Sequence, residues 1–434
     1  MEEKRPSWTS RYTFILAAIG SAVGLGNIWR FPYIMGQNGG AVFLLIYLAL
    51  ILTICFIPLF AELTMGKITK KECVGAFESV NPKFKILGIM NPVTGILISS
   101  FYFIVGGWII NYIYLGFKDV NIQNFSAYFT QLTQNSTQAC SYTLAFLFIC
   151  IFFTARGIKK GIELANNVLM PLFALIMVVL IVFSLHLPNA HLGLEYMFKP
   201  DFSKVNGHMF LAALGQALFT LSIGMGALLT YGSYIKEDKS IAKTTYTIIF
   251  SDTLFALLAG VMIFPAIFSF GLEPNCGAGL VFVTLPYIFS QIPFGNIISI
   301  AFFLLLLAAA ITSGISILEV PVATISERLK MSRAKAGYWV FIIISAIAIP
   351  ATLSLGALEE FKILGKTLFD FLDFSTSNVL MPLNAFFLCV VSGWFLNIKG
   401  SEFIKNKFVS TLFDIGLRFV VPVVLLLLLY VGLH

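Results

Sequence analysis

Long apolar runs joined by short polar loops dominate this chain. A helix needs about 20 mainly apolar residues to cross the hydrocarbon core of a bilayer. Eleven runs meet that need, at about 11–36, 41–66, 88–117, 138–156, 165–187, 208–236, 241–271, 295–326, 335–354, 367–396 and 412–433. They are continuous rather than alternating, which excludes a β-barrel. Only 11% of the 434 residues are charged and 58% are hydrophobic. A soluble domain carries about 25% charged residues, so too few remain here to coat a water-facing surface. No hydrophilic stretch is long enough for a separate soluble domain, and 1–434 reads as one membrane domain.

The net charge of +7 does not point to nucleic acid, because the cations sit in short loops between apolar runs. Their distribution sets a topology instead. With the N-terminus in the cytoplasm, 22 of the 28 lysines and arginines fall in inside segments. Lys118, Lys199, Lys204, Lys362 and Lys366 fall outside, and Arg30 lies within a run. Such a bias toward the cytoplasm is the positive-inside pattern, and eleven spans put His434 outside. Lys4, Arg5 and Arg11 before an apolar run imitate a signal peptide. The run continues through Gly24, Gly26, Arg30 and Pro32 toward a second span, so no cleavage is expected. The six cysteines show no CxxC spacing; Cys140 and Cys276 fall on the outer side and are able to pair, although nothing in their spacing demands it.

Two runs are interrupted at mid-length. The first holds Ala22-Val23-Gly24-Leu25-Gly26-Asn27, and the sixth holds Ser222-Ile223-Gly224-Met225-Gly226-Ala227. Each Gly-X-Gly weakens a helix by about 1 kcal/mol per glycine relative to alanine. Lipid cannot satisfy the backbone groups that are freed. Small residues for close helix packing explain one such site. A pair five spans apart suggests a broken helix at the centre of each of two inverted repeats, about 8–190 and 205–397, with 411–434 as an additional span. Half-helix N-termini then suit a carboxylate and free carbonyls suit a cation.

The stretch from Trp8 to Gly66, above all GSAVGLGNIWRFPYIMGQNGG, closely resembles the neurotransmitter:sodium symporter family. FTLSIGMGALLTYGSYI, FVTLPYIFSQ and AAAITSGIS resemble it too, and the likeness covers nearly the whole chain. It implies an all-α membrane fold with a 5+5 inverted repeat, spans 1 and 6 broken, as in the leucine transporter of this family. Eleven spans are shared with many bacterial members, which places the chain in a bacterial inner membrane.

The resemblance also implies roles. Biogenic-amine members carry Asp where this chain has Gly24. The place Gly24 leaves empty is then filled by the carboxylate of an amino acid, near Gly26 and the Tyr102 hydroxyl. Its ammonium faces carbonyls around Phe219, Thr220 and Ser222. Its side chain faces Ile98, Phe219, Met225, Ser313 and Ile317, with Ala22 and Leu25 completing the pocket. That lining offers no charge and favours hydrophobic or aromatic L-amino acids; Met225, where some relatives have Phe, is flexible enough to yield to a large side chain.

Two sodium ions are expected. The first takes Ala22, Asn27, Thr220 and Asp252 with the substrate carboxylate. The second takes Gly20, Val23, Ala309, Thr312 and Ser313, although Thr312 and Ser313 hydroxyls are also able to bond back to the preceding helical turn. Tyr47, Gln216 and Thr220 match the chloride site of chloride-dependent relatives, but Asp252 replaces its asparagine and Ala256 one hydroxyl. A built-in carboxylate repels chloride and replaces its charge, so no chloride is expected.

Arg30, within a span, needs an anion. Asp370 and Asp373 share a helical face, and the resemblance favours Asp373 as the outer-gate partner with Asp370 beside it. Phe219 and Tyr102 form a lid. Inside, Arg5 pairs with Glu327, and Trp8 and Tyr234 pack near it. Gly161 and Pro171 have the spacing at which some bacterial relatives unwind the fifth helix to admit water to the second sodium. Glu62 takes no role. A non-transporting amino acid sensor on the same scaffold is the alternative; a passive channel fits two gates poorly. The absence of HExxH and GxSxG, with four unclustered histidines, argues against an enzyme.

Overall fold

The computed structural model describes residues 6–118, 122, 124–236, 240–273, 279–403 and 406–433. The described residues are helical almost throughout, with a single isolated bridge between Ile363 and Lys366 and no strand. Among the described residues, nine helices are long and apolar enough to cross a membrane: Ala41–Thr69, Pro82–Gly116, Ser136–Ala155, Ile158–Leu185, Ile241–Ser269, Gly295–Arg328, Arg333–Leu353, Leu368–Phe395 and Lys407–Leu433. Arg11–Ala22 and Gly26–Gln37, bent by 44° at their break, make a tenth. The sixth apolar run is divided into Gly207–Thr220 and Ala227–Ser233, of 14 and 7 residues. At 1.5 Å per residue neither piece alone reaches across about 30 Å of hydrocarbon.

Local chemistry sets the helix starts. Ser10 accepts from Thr13 N while the Thr13 hydroxyl answers the Ser10 backbone, and the side chains of Asn206, Ser240 and Ser332 accept from Met209, Lys243 and Lys335 N at the starts of later helices. Gly295–Arg328 lies along Pro82–Gly116, which in turn packs on Ser136–Ala155. Ile158–Leu185 is peripheral and turns Leu172, Leu175, Val178 and Val182 outward, as lipid contact requires. Beyond the membrane-crossing helices, Glu72 caps the short helix Cys73–Val80, and Arg328 reaches Glu72 at 2.8 Å and Glu78 at 2.5 Å. The Arg328 hydrogen bond holds the Glu78 carboxyl below the usual carboxylate range. Cys140 is free, and Cys276 lies outside the described residues.

Both expected interruptions are real. In the first run the helix ends at Ala22 and Val23 turns extended, with φ −75° and ψ 106°. In the sixth, Ser222, Gly224 and Gly226 have φ of 55°, 81° and 78°. Glycine adopts such angles without a Cβ penalty; at Gly224 a Cβ would also stand 2.2 Å from the Met381 carbonyl oxygen.

Candidate functional site

The two breaks meet. Gly24 N donates to Asn27 Oδ1 at 3.0 Å, which turns the Asn27 amide toward Ile241–Ser269. There Asn27 Nδ2 donates to the Asp252 carbonyl at 3.0 Å and to Asp252 Oδ1 at 2.8 Å. Thr220 Oγ1 donates to Asp252 Oδ1 at 3.0 Å and the Tyr47 hydroxyl to Oδ2 at 3.5 Å. Asp252 is fully buried, and an ionisable group this deep needs partners of this kind. Gln216 Nε2 donates to the Gly26 carbonyl at 2.9 Å, and its Oε1 has no hydrogen-bond partner. Asn27, Thr220, Asp252, Tyr47 and Gln216 thus form one buried polar cluster where the first break touches the sixth.

A second cluster lies below the first break. Ser313 Oγ approaches the carbonyl oxygens of Gly20, Ser21 and Val23 at 3.2, 3.4 and 3.3 Å. Helix termination at Ala22 frees carbonyls for this reach. Thr312 instead bonds back to its own helix, to Ala308 at 3.2 Å and Ala309 at 3.0 Å. Gly20, Val23, Ala309, Thr312 and Ser313 are therefore neighbours, with oxygens suited to a hard cation.

Between the clusters is a small cavity. Ala22, Gly24, Leu25, Gly26, Ile98, Tyr102, Phe219, Thr220, Ser222, Met225, Ser313 and Ile317 all line it, together with Ser21. No lining residue is charged. The place beside Gly24 is not empty: a Cβ there would stand 2.3 Å from Ser313 Oγ. Ser21 was not singled out from sequence; its hydroxyl meets Ser316 at 2.8 Å and its carbonyl accepts from Ser222 at 3.2 Å. Only the tertiary contact distinguishes it.

The outer-gate residues are not joined. The Arg30 guanidinium lies 4.4 Å from the centre of the Phe219 ring, a cation–π geometry. One of its buried nitrogens has no hydrogen-bond partner. No ion pair links Arg30 to Asp370 or Asp373 among the described residues. Asp373 Oδ1 accepts from Ser377 at 2.9 Å, and Asp370 Oδ2 from Thr367 at 2.8 Å.

On the opposite side Arg5 lies outside the described residues, so its expected pairing with Glu327 has no geometry here. Trp8 is buried, donating from Nε1 to the Tyr231 carbonyl at 3.0 Å and from N to the Tyr234 carbonyl at 3.3 Å. The Tyr234 hydroxyl donates to Glu319 Oε1 at 2.7 Å. Arg333 pairs with the other Glu319 oxygen and donates to the Thr154 carbonyl at 3.0 Å. No motif in the sequence marks Glu319 or Arg333. The available signal was an acid inside an apolar run, which the membrane makes expensive. Arg333→Met is expected to destabilise the purified protein by about 3–5 kcal/mol, because it strands a buried carboxylate. Adding Glu319→Gln should recover most of the loss in thermal unfolding; equal losses in both variants would contradict the pairing.

Glu62, to which the sequence assigned no role, accepts from Gly224 N at 2.8 Å. Asn384 Nδ2 donates to the Gly224 carbonyl at 2.8 Å and to Thr94 Oγ1 at 3.0 Å. The two side chains hold the N–H and the carbonyl of Gly224 at the sixth-run break. Gly161 lies in a wide helical turn, Ile158–Ile162, that leads directly into the helix Glu163–Leu185, which holds Pro171 in its interior.

The family described as "Sodium:neurotransmitter symporter family" matches residues 5–143 and 120–434. An uncharacterized sodium-dependent transporter, YhdH, of Bacillus subtilis (strain 168) is 35% identical over 443 residues, covering 98% of each chain. An uncharacterized sodium-dependent transporter of Haemophilus influenzae is 34% identical over 451 residues, again covering 98% of each. The crystal structure of MhsT in complex with L-phenylalanine superposes with a TM-score of 0.90 at 41% identity, over 99% of this chain and 100% of that one. The chain accordingly belongs to the sodium:neurotransmitter symporter family, as a multi-pass membrane protein of sodium-coupled transport and not an enzyme.

Proposed function

We propose that this protein imports a hydrophobic or aromatic L-amino acid together with two sodium ions, by alternating access and without chloride. The observation that carries this reading is the uncharged cavity between the two helix breaks, flanked by two oxygen-rich clusters. A cavity without a charged side chain discriminates against acidic and basic substrates, which would each bury an unpaired charge. The solved relative bound to L-phenylalanine supports an aromatic substrate.

In this reading the substrate carboxylate sits by Gly26 and the Tyr102 hydroxyl, and its ammonium faces the carbonyls freed after Phe219. The first sodium binds Ala22, Asn27, Thr220 and Asp252 and shares the carboxylate, which couples ion to substrate. The second binds Gly20, Val23, Ala309, Thr312 and Ser313. Asp252 supplies the negative charge that chloride brings elsewhere. Arg30 leaves Phe219 to pair with Asp373, beside Asp370, when the outer side closes. Arg5 with Glu327, near Trp8 and Tyr234, closes the inner side, and unwinding between Gly161 and Pro171 releases the second ion. The topology is eleven spans in the bacterial inner membrane, with the sixth run spanning as two half-helices, repeats at about 8–190 and 205–397, and an additional span at 411–434. The N-terminus is cytoplasmic and the C-terminus outside. Inward movement of each charge gains about 2.3 kcal/mol per 100 mV.

Purified protein in liposomes tests this. An inward sodium gradient should drive concentrative uptake of labelled L-phenylalanine, with competition by apolar and aromatic amino acids and none by Asp, Glu, Lys or Arg. Sodium-dependent binding without uptake would show a sensor instead. Tyr102→Phe should weaken phenylalanine binding about tenfold, through loss of one hydrogen bond to a charged group at about 1.5 kcal/mol. Unchanged affinity would remove Tyr102 from the site.

A further inference from the structure

Asn166 stands in Glu163–Leu185, midway between Gly161 and Pro171, and is 1% exposed. Its Nδ2 donates to the Ile162 carbonyl at 2.9 Å, whereas its Oδ1 is buried and has no hydrogen-bond partner. That donor bond fixes the amide orientation, because a flipped amide would set two acceptors face to face. The free oxygen is aimed at the first helix. A Cβ built on Gly20 would stand 2.1 Å from Asn166 Oδ1 and 3.2 Å from Thr312 Cβ. Three elements therefore converge at one point: the end of the first half-helix, the Thr312-Ser313 turn of Gly295–Arg328, and the Asn166 amide. A buried carbonyl oxygen left without a donor costs about 1–3 kcal/mol. A cation or an ion-bound water beside it would remove that cost.

We infer that Asn166 supplies a further oxygen to the second sodium, directly or through one water, and that the ion thereby holds the fifth helix closed. The inference rests on the proposed second sodium site. Gly20, Val23, Ala309, Thr312 and Ser313 offer five oxygens, and Asn166 adds one more from an element outside the two breaks. Because it lies between Gly161 and Pro171, unwinding there withdraws one ligand as it admits water. Ion loss and helix opening become a single event, and bound sodium opposes both.

The test uses the full-length purified protein in detergent without substrate, with ionic strength held constant by exchanging choline for sodium. Thermal midpoints are followed against sodium for the wild type, Asn166→Leu and Asn166→Asp. Asn166→Leu should match the wild type, or exceed it, in choline, and should need about tenfold more sodium for half of the stabilisation. Asn166→Asp, which restores the oxygen and adds a charge, should need severalfold less sodium than the wild type. Sodium should slow hydrogen exchange of backbone amides 161–171 in the wild type and not in Asn166→Leu. Combined with Thr312→Ala, the Asn166→Leu shift should be less than additive, as for residues on one ion. An unchanged sodium requirement in both Asn166 variants would overturn the inference and leave the oxygen a structural orphan. Additivity with Thr312→Ala would do the same for its place at the second ion. A wild type that sodium does not stabilise would overturn the sodium sites themselves, a different outcome.

Discussion

Gly24→Ala is expected to weaken substrate binding by about 100-fold, or about 2.7 kcal/mol. A single methyl group does this because its Cβ would stand 2.3 Å from Ser313 Oγ and 3.1 Å from Ser313 Cβ. Ser313 cannot retreat without leaving the carbonyls of Gly20 and Val23, which it approaches at 3.2 and 3.3 Å. Overpacking alone costs about 1–3 kcal/mol, and the second cation cluster is disturbed besides. Gly26→Ala is the control. Its Cβ would meet nothing closer than 3.4 Å, an ordinary contact, so the loss should stay below about tenfold. Equilibrium binding of labelled L-phenylalanine at saturating sodium measures both. If position 26 proves the more sensitive, the steric account of position 24 is wrong. The same contact explains why a carboxylate side chain is not accommodated at 24 without moving Ser313.

Asp252→Asn should lower sodium-driven uptake by about 100-fold, while the wild type takes up substrate equally in chloride and in gluconate. The substitution isolates charge from geometry. An asparagine oxygen still accepts from Asn27 at 2.8 Å and Thr220 at 3.0 Å, as Oδ1 does now. What disappears is the negative charge set against sodium in a dry interior, where charge–charge terms are several-fold larger than in water. Ala256 supplies no hydroxyl to help an anion replace it. Chloride-stimulated uptake by the wild type would refute the role given to Asp252, as would wild-type activity in the variant.

Much of the site was legible because it is local. Gly-X-Gly at 24–26 and 224–226 announces a helix break wherever it falls in an apolar run, since each glycine weakens the helix and removes a side chain. Of the twelve residues that the family resemblance set around the substrate, eight lie at these breaks and Ile98, Tyr102, Ser313 and Ile317 on other helices, and all twelve line one cavity. Glu319 and Arg333, 14 positions apart on consecutive helices, pair only because Arg333 folds back beneath Gly295–Arg328. Glu62 and Asn384 meet Gly224 from remote helices. Asn166 is an unremarkable polar residue in a lipid-facing helix until Gly20 is placed opposite it. The run count also differs: the sixth run reads as one span, but its break leaves two pieces too short to be recognised by length.

The amino-acid order alone determined that this chain lives in a bilayer, where its long apolar runs cross and where two of them yield at paired glycines. Those properties follow from hydropathy and backbone freedom, which act over a few consecutive residues. Which oxygens lack a donor, which carboxylates find a cation, and that Ser313 occupies the room beside Gly24 were decided only by tertiary packing. They depend on distances between helices far apart in the chain, and a shift of about an ångström in a close-packed interior separates a contact from a clash.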